Sequence, residues 1–151
     1  MAGLPKYKME KKRLVSPVVV SLLIIALIEL VGMIGDPFRV ESGGASIYWL
    51  FVETFILFLF PAAPIIYGGI TRDRLGSILV GALPIMGFLL LLNFNYFYPS
   101  PDLKRIVEVV AYGVSLSIIS GLEGYFASKR MIPIAILLGA LWFFIFISGF
   151  D

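Results

Sequence analysis

The sequence predicts an all-α protein: a polytopic bundle of about five membrane-spanning helices, with the N-terminus cytoplasmic and the C-terminus outside. Three observations lead there. Hydrophobic residues fill 60% of the 151 positions and charged residues only 15%, more apolar surface than a water-soluble core of this length can hide. Several uninterrupted apolar runs approach the roughly 20 residues needed to cross a hydrocarbon layer about 30 Å thick. Short basic segments separate these runs on alternate sides, the pattern expected when positive charge is retained on the cytoplasmic face.

Residues 1–13 read as a basic cytoplasmic tail, with Lys6, Lys8, Lys11, Lys12 and Arg13 set against Glu10. The rest, 14–151, reads as one transmembrane helical domain. Ser16 before Pro17 is a hydroxyl cap ahead of a proline in the first turn, and Gly35 with Asp36-Pro37 is a stop, so the first span covers about 17–34. Glu29 interrupts its apolar run and no clear small-x-small cleavage site precedes the polar loop. The segment is therefore expected to be a retained anchor rather than a cleaved signal.

The loop that follows carries Gly43-Gly44, which disfavours regular structure. The second span covers about 47–69. Tyr48 and Trp49 suit the headgroup level at its outer end, and Pro61 and Pro64 are expected to kink or interrupt it, freeing backbone carbonyls. After the basic turn Thr71-Arg72-Asp73-Arg74, the third span covers about 75–98, with Pro84 inside it and an aromatic run, Asn93-Phe94-Asn95-Tyr96-Phe97-Tyr98, at its end. Pro99 and Pro101 stop that helix, and Ser100-Pro101-Asp102 caps the fourth span, about 103–126. A second basic turn, Ala127 to Arg130, leads to the last span, about 131–150. The tail and the two basic turns hold nine of the twelve Lys and Arg residues, which places the N-terminus inside and Asp151 outside.

Composition excludes several function classes. A net charge of +2 without an aromatic-interleaved basic patch argues against nucleic-acid binding. With no cysteine and no histidine, disulfides, thiolate chemistry and the usual zinc sites are unavailable, and oxygen atoms would have to hold any metal. No phosphate-binding glycine loop, nucleophile elbow or histidine metalloprotease motif occurs. The chain is therefore expected to carry no cofactor, and an enzyme ranks last among the readings.

Four glutamates, Glu29, Glu53, Glu108 and Glu123, fall within or at the edges of apolar spans, where a central charge costs about 2.5–3.5 kcal/mol. Glu29 and Glu53 lie at matching depth, roughly 9 Å below the outer boundary at about 1.5 Å per residue, and neither has an obvious counter-ion within the spans. Asn93 and Asn95 can reach the same layer, as can Thr54 and Tyr112. The expected site is a polar pocket in the outer half of the bundle, formed by Glu29, Glu53 and Asn93 with Glu108 at its mouth, suited to a proton or a hard cation. The plainer alternative is that the glutamates tie helices together or meet a partner subunit. Glu108 also fits an interfacial pair with Lys104 and Arg105, and Glu123 fits a residue snorkelling towards Lys129 and Arg130.

Gly113, Ser117 and Gly121 recur every four residues, with Ser120, Gly124 and Ser128 in a neighbouring row, and Ala135 and Gly139 repeat the spacing in the last span. Small residues so placed let helix backbones approach closely. The functional expectation is a small proton- or cation-linked transporter or channel-like protein of the cell membrane, homo-oligomeric. The alternatives are a non-catalytic structural or accessory subunit of a larger membrane complex, or a membrane-embedded enzyme with a carboxylate site. The expected partners are the lipid bilayer and either further copies of the chain or other membrane subunits.

Overall fold

Each apolar run folds as an α-helix, the one arrangement in which such a run satisfies its own backbone without help from its side chains. The computed structural model describes residues 16–31, 33, 47–94 and 101–148. The basic tail, the loop after the first helix, Asn95 with the rest of the aromatic run, and Asp151 lie outside the described residues. So do the side chains of Tyr48, Trp49 and Glu53.

Among the described residues there are five helices and no strand: α1 (Ser16–Val31), α2 (Ile47–Thr71), α3 (Arg74–Leu92), α4 (Leu103–Ser128) and α5 (Ile132–Ser148). Two of them, α3 and α4, are long and apolar enough to cross a membrane, whereas the apolar stretches Ser16–Val31, Leu57–Thr71 and Ile132–Ser148 are shorter. One boundary and one interior feature differ from the sequence expectation. The third helix ends at Leu92 rather than near Tyr98, because Asn93 turns back on it: its side-chain amide donates to the Leu89 carbonyl at 2.8 Å and its backbone N–H to the same oxygen at 3.1 Å. Local bonding of this kind competes with helix continuation. Nor do Pro61 and Pro64 interrupt α2, which runs unbroken through both. Each still leaves one carbonyl, that of Leu57 or Phe60, without its usual helical donor.

The helices alternate in direction. Ser21 of α1 reaches the Leu79 carbonyl of α3 at 3.4 Å, and Ile25 packs beside Gly87 further along both helices, so α1 and α3 are parallel. Gly68 near the end of α2 meets Gly124 and Ser128 near the end of α4. Gly81 and Ser77 of α3 meet Ser120 and Gly124 of α4 in antiparallel order, as do Gly139 and Phe146 of α5 with Glu123 and Tyr112. This register brings both basic turns to one end of the bundle, the end at which α1 begins.

Both turns close with an arginine in the left-handed region. Arg130, at φ 63°, sits in a Schellman arrangement: its N–H donates to the Ala127 carbonyl at 2.9 Å and that of Met131 to Phe126 at 3.0 Å. Arg72, at φ 54°, donates its N–H to the Gly68 carbonyl at 3.0 Å, the simpler left-handed cap. The start of α4 is capped by Asp102, whose carboxylate accepts the Arg105 N–H at 3.2 Å.

The helix contacting all three of α2, α3 and α5 is α4. Its Gly113, Ser117 and Gly121 lie against α3, where Ser117 donates to the Ala82 carbonyl at 3.2 Å. A methyl group on Gly81 would fall 2.6 Å from the Ser120 carbonyl carbon, and one on Gly124 would fall 2.8 Å from that of Ser77. Only glycine permits backbones this close. The outward faces, among them Leu22, Leu83, Ile118, Leu137 and Phe144, remain exposed and apolar.

Candidate functional site

The small-residue rows draw α4 into the centre of the bundle, and one large polar side chain goes with it. Glu123 has 0% of its surface exposed. It faces α5 and α2: a methyl group on Gly139 would lie 3.9 Å from its Cδ and Oε1 and 3.5 Å from the Cβ of Pro61. Without a side chain on Gly139, α5 comes close enough to cover the carboxyl. Neither oxygen of Glu123 has a hydrogen-bond partner among the described residues.

Two further buried polar atoms lack partners, Ser120 Oγ and Trp142 Nε1. Ser120 precedes Glu123 by three residues on α4, and Trp142 follows Gly139 by three on α5. Because these helices are antiparallel, both lie displaced from Glu123 in the same direction, by about 4.5 Å, away from the basic end. The Trp142 indole stacks on Phe146, with centroids 5.1 Å apart, and leans on Phe60 of α2 at 5.7 Å. An acceptor-capable carboxyl, a hydroxyl and an indole donor are thus collected in one apolar layer. Buried polar groups without partners cost about 1–3 kcal/mol each, more if charged, so their concentration here needs a cause.

The nearby cations do not supply one. The Lys129 ammonium sits over the Tyr125 ring, 4.4 Å from its centroid, on another face of α4, and Arg130 is exposed beyond the helix end. Glu123 forms no ion pair among the described residues. The snorkelling geometry expected of it is not adopted: the helix ends at Ser128, before Arg130 can stack above the carboxyl. Nor do three or more carboxylates gather into a metal-binding group among the described residues.

The residues expected to form an outer pocket are placed as follows. Glu29 is exposed on α1. Asn93 is half-buried and spends its amide on its own helix. Glu108 is exposed and bound to Arg105 at 3.1 Å. Tyr112 donates to the Phe146 carbonyl at 3.0 Å, closing the far end of the contact between α4 and α5. Glu53 occupies the second turn of α2, with its side chain outside the described residues.

Sequence reasoning passed over Glu123 in favour of Glu29 and Glu53 by weighing depth and the nearness of Lys129 and Arg130. The signal lay in its neighbours: Ser120, Gly121 and Gly124 flank it on α4, and Ala135 and Gly139 offer small residues on the helix packed against it. A carboxyl set among small residues is one that neighbouring helices can close over. Comparison with known proteins gives no matching family model, no matching curated protein and no matching solved structure.

Proposed function

We propose that this chain is a small multi-pass membrane protein that moves protons through the interface of α2, α4 and α5, with Glu123 as the proton-binding carboxylate. One observation carries the reading: a carboxyl with no exposed surface and no partner for either oxygen, where three helices meet, one of them lacking two backbone donors. A permanently charged carboxylate there would be costly, and buried acids of this kind in membrane helices mark proton relays. A metal cation fits less well, because the layer offers one carboxylate where a hard cation takes about six oxygens.

The bundle's alternating directions and its Arg72, Arg74, Lys129 and Arg130 end support a multi-pass chain with that end in the cytoplasm. Glu123 would then lie in the cytoplasmic half, about 7.5 Å from the last residue of α4, not in the outer half favoured by the sequence. Separation of α4 from α5 at Gly139 would open it to the cytoplasmic water. Ser120, one turn away on α4, carries a hydroxyl that can accept and donate and so could pass the proton on, whereas the Trp142 indole N–H can only donate.

The test is proton flux into liposomes containing the purified protein and an internal pH dye, driven by a potassium diffusion potential. Wild-type protein should acidify the lumen faster than protein-free vesicles do, and Glu123→Gln, which keeps shape and removes titration, should fall to the protein-free rate. Wild-type flux in Glu123→Gln, or none above background in the wild type, would overturn the reading. One observation favours a second reading, the accessory subunit: Glu29 faces outwards.

A further inference from the structure

The antiparallel register of α3 and α4 gathers the charges of the two basic turns. Gly81 and Ser77 of α3 meet Ser120 and Gly124 of α4, so Arg74, three residues before Ser77, falls beside Tyr125 and the turn that follows Ser128. Tyr125 feels the charge of both turns: that of Lys129, whose ammonium lies 4.4 Å from its ring centroid, and that of Arg74. Arg72 and Arg130 are exposed in the same turns. Asp73, the acidic residue of these turns, lies against Gly76, where an added methyl would be 2.6 Å from its Oδ2. It forms no ion pair with Arg72 or Arg74 among the described residues. The end thus presents four cations against one carboxylate.

Beneath Tyr125 the surface turns apolar. At 100° per residue, Val114 and Ile118 lie within about 20° of Tyr125 around α4, and Leu122 within about 60°. All three are exposed. Val114 is roughly 16 Å from Tyr125 along the axis, about half of a hydrocarbon layer about 30 Å thick. Cations at one end and an apolar stripe one leaflet long match the two parts of a phospholipid. A zwitterionic headgroup brings its own ammonium towards these cations, whereas an anionic one brings a phosphate with no positive neighbour of its own, and arginine and lysine bind phosphate through charge-assisted hydrogen bonds. A soluble anion would meet the charges and leave the stripe unmatched.

We infer that the outward seam of α3 and α4 holds an anionic phospholipid, its phosphate between Arg74 and Lys129 beside the Tyr125 hydroxyl, with an acyl chain along Leu122, Ile118 and Val114. The inference rests on the membrane reading above but not on proton movement, so the flux experiment can fail without touching it.

The test uses the full chain in phosphatidylcholine vesicles, with bimane on a single cysteine introduced as Leu122→Cys, or as Leu137→Cys on the exposed face of α5 for comparison; the chain has no cysteine of its own. The probes are phosphatidylglycerol and phosphatidylcholine with brominated chains, which quench only at close range, each added at the same mole fraction. At position 122 the anionic lipid should associate about fivefold more strongly than the zwitterionic one, and at position 137 the two should quench alike. The preference should vanish when Arg74→Gln and Lys129→Gln are combined, and survive when Arg74→Lys and Lys129→Arg, which keep the charges, are combined. Equal quenching by both lipids at position 122, an equal preference at position 137, or a preference that survives removal of the two charges would overturn the inference. So would a preference abolished by excess inorganic phosphate, because the occupant would then be a soluble anion. No quenching by either lipid at either position would instead remove the membrane reading, and this inference with it.

Discussion

Two halves of α4 carry one glutamate each, and the helix treats them in opposite ways. Glu108 and Glu123 are 15 residues apart, about 60° around the axis at 100° per residue, so they project from similar faces. Glu108 is exposed and tied to Arg105, whereas Glu123 is wholly enclosed and unpaired. Every buried residue of α4 falls from Gly113 onwards: Gly113, Leu116, Ser117, Ser120, Gly121, Glu123, Gly124, Ala127 and Ser128. The first ten residues contribute none. What separates the halves is side-chain size, since small residues on α4 meet Gly81, Ser77 and Gly68 on its neighbours and Gly139 of α5 leaves room for Glu123, and helices that can touch exclude everything else. Whether a carboxylate in such a helix becomes a surface ion pair or an enclosed acid is thus decided by the residues around it.

The strongest way to break this comparison is to add bulk to each half. Gly124→Leu drives a side chain into the Ser77 backbone, where even its Cβ would lie 2.8 Å from the carbonyl carbon. Backbone cannot yield as a flexible side chain would, so the expected loss is about 3 kcal/mol or more. Ala111→Leu, on the exposed half, should stay within about 0.5 kcal/mol of the wild type. Reversible unfolding in a mild detergent titrated with a denaturing one measures both. Equal losses would mean that the two halves are packed alike.

A smaller effect is expected at the border between the halves. Tyr112 donates its hydroxyl to the Phe146 carbonyl at 3.0 Å, a bond from α4 to the last turn of α5. Tyr112→Phe keeps the ring and removes the donor. In the same unfolding assay it should cost about 0.6 kcal/mol, the average for bonds between membrane helices, and no more than about 1.7 kcal/mol. A change of 3 kcal/mol would show that the exposed half is held as firmly as the buried one.

The helices themselves were legible in the sequence because apolar runs and their punctuation act locally. Ser16-Pro17, the two basic turns and Asp102 mark ends that the structure keeps to within a few residues. The stop at Asn93 was less visible, since the long aromatic run beyond it reads as further helix while the asparagine amide bonds backwards. Continuity through Pro61 and Pro64 was also hidden, as proline states which donor is missing but not whether the helix carries on past it. The small-residue row Gly113, Ser117 and Gly121 could be read from its spacing, although which helix it would meet could not. Glu123 was the hardest, because its enclosure depends on Gly139, 16 residues away on another helix, and no property of α4 taken alone reports that.

The smallest expected effect separates two adjacent glycines. At Gly68 an added methyl would lie 2.5 Å from the Gly124 carbonyl oxygen and 3.0 Å from the Ser128 nitrogen, whereas at Gly69 it would meet nothing within 4 Å. Close approach therefore accounts for glycine at the first position and not at the second. Within a helix, glycine is less stable than alanine by roughly 0.5–1 kcal/mol because it loses more backbone freedom on ordering. Since Gly69 lies in the last turn of α2, where helices fray, Gly69→Ala should stabilise the fold by about 0.5 kcal/mol at most. A measurable loss at Gly69 instead would mean that this face is covered by something the isolated chain does not show, and would extend the close-packed half of the bundle onto its outer surface.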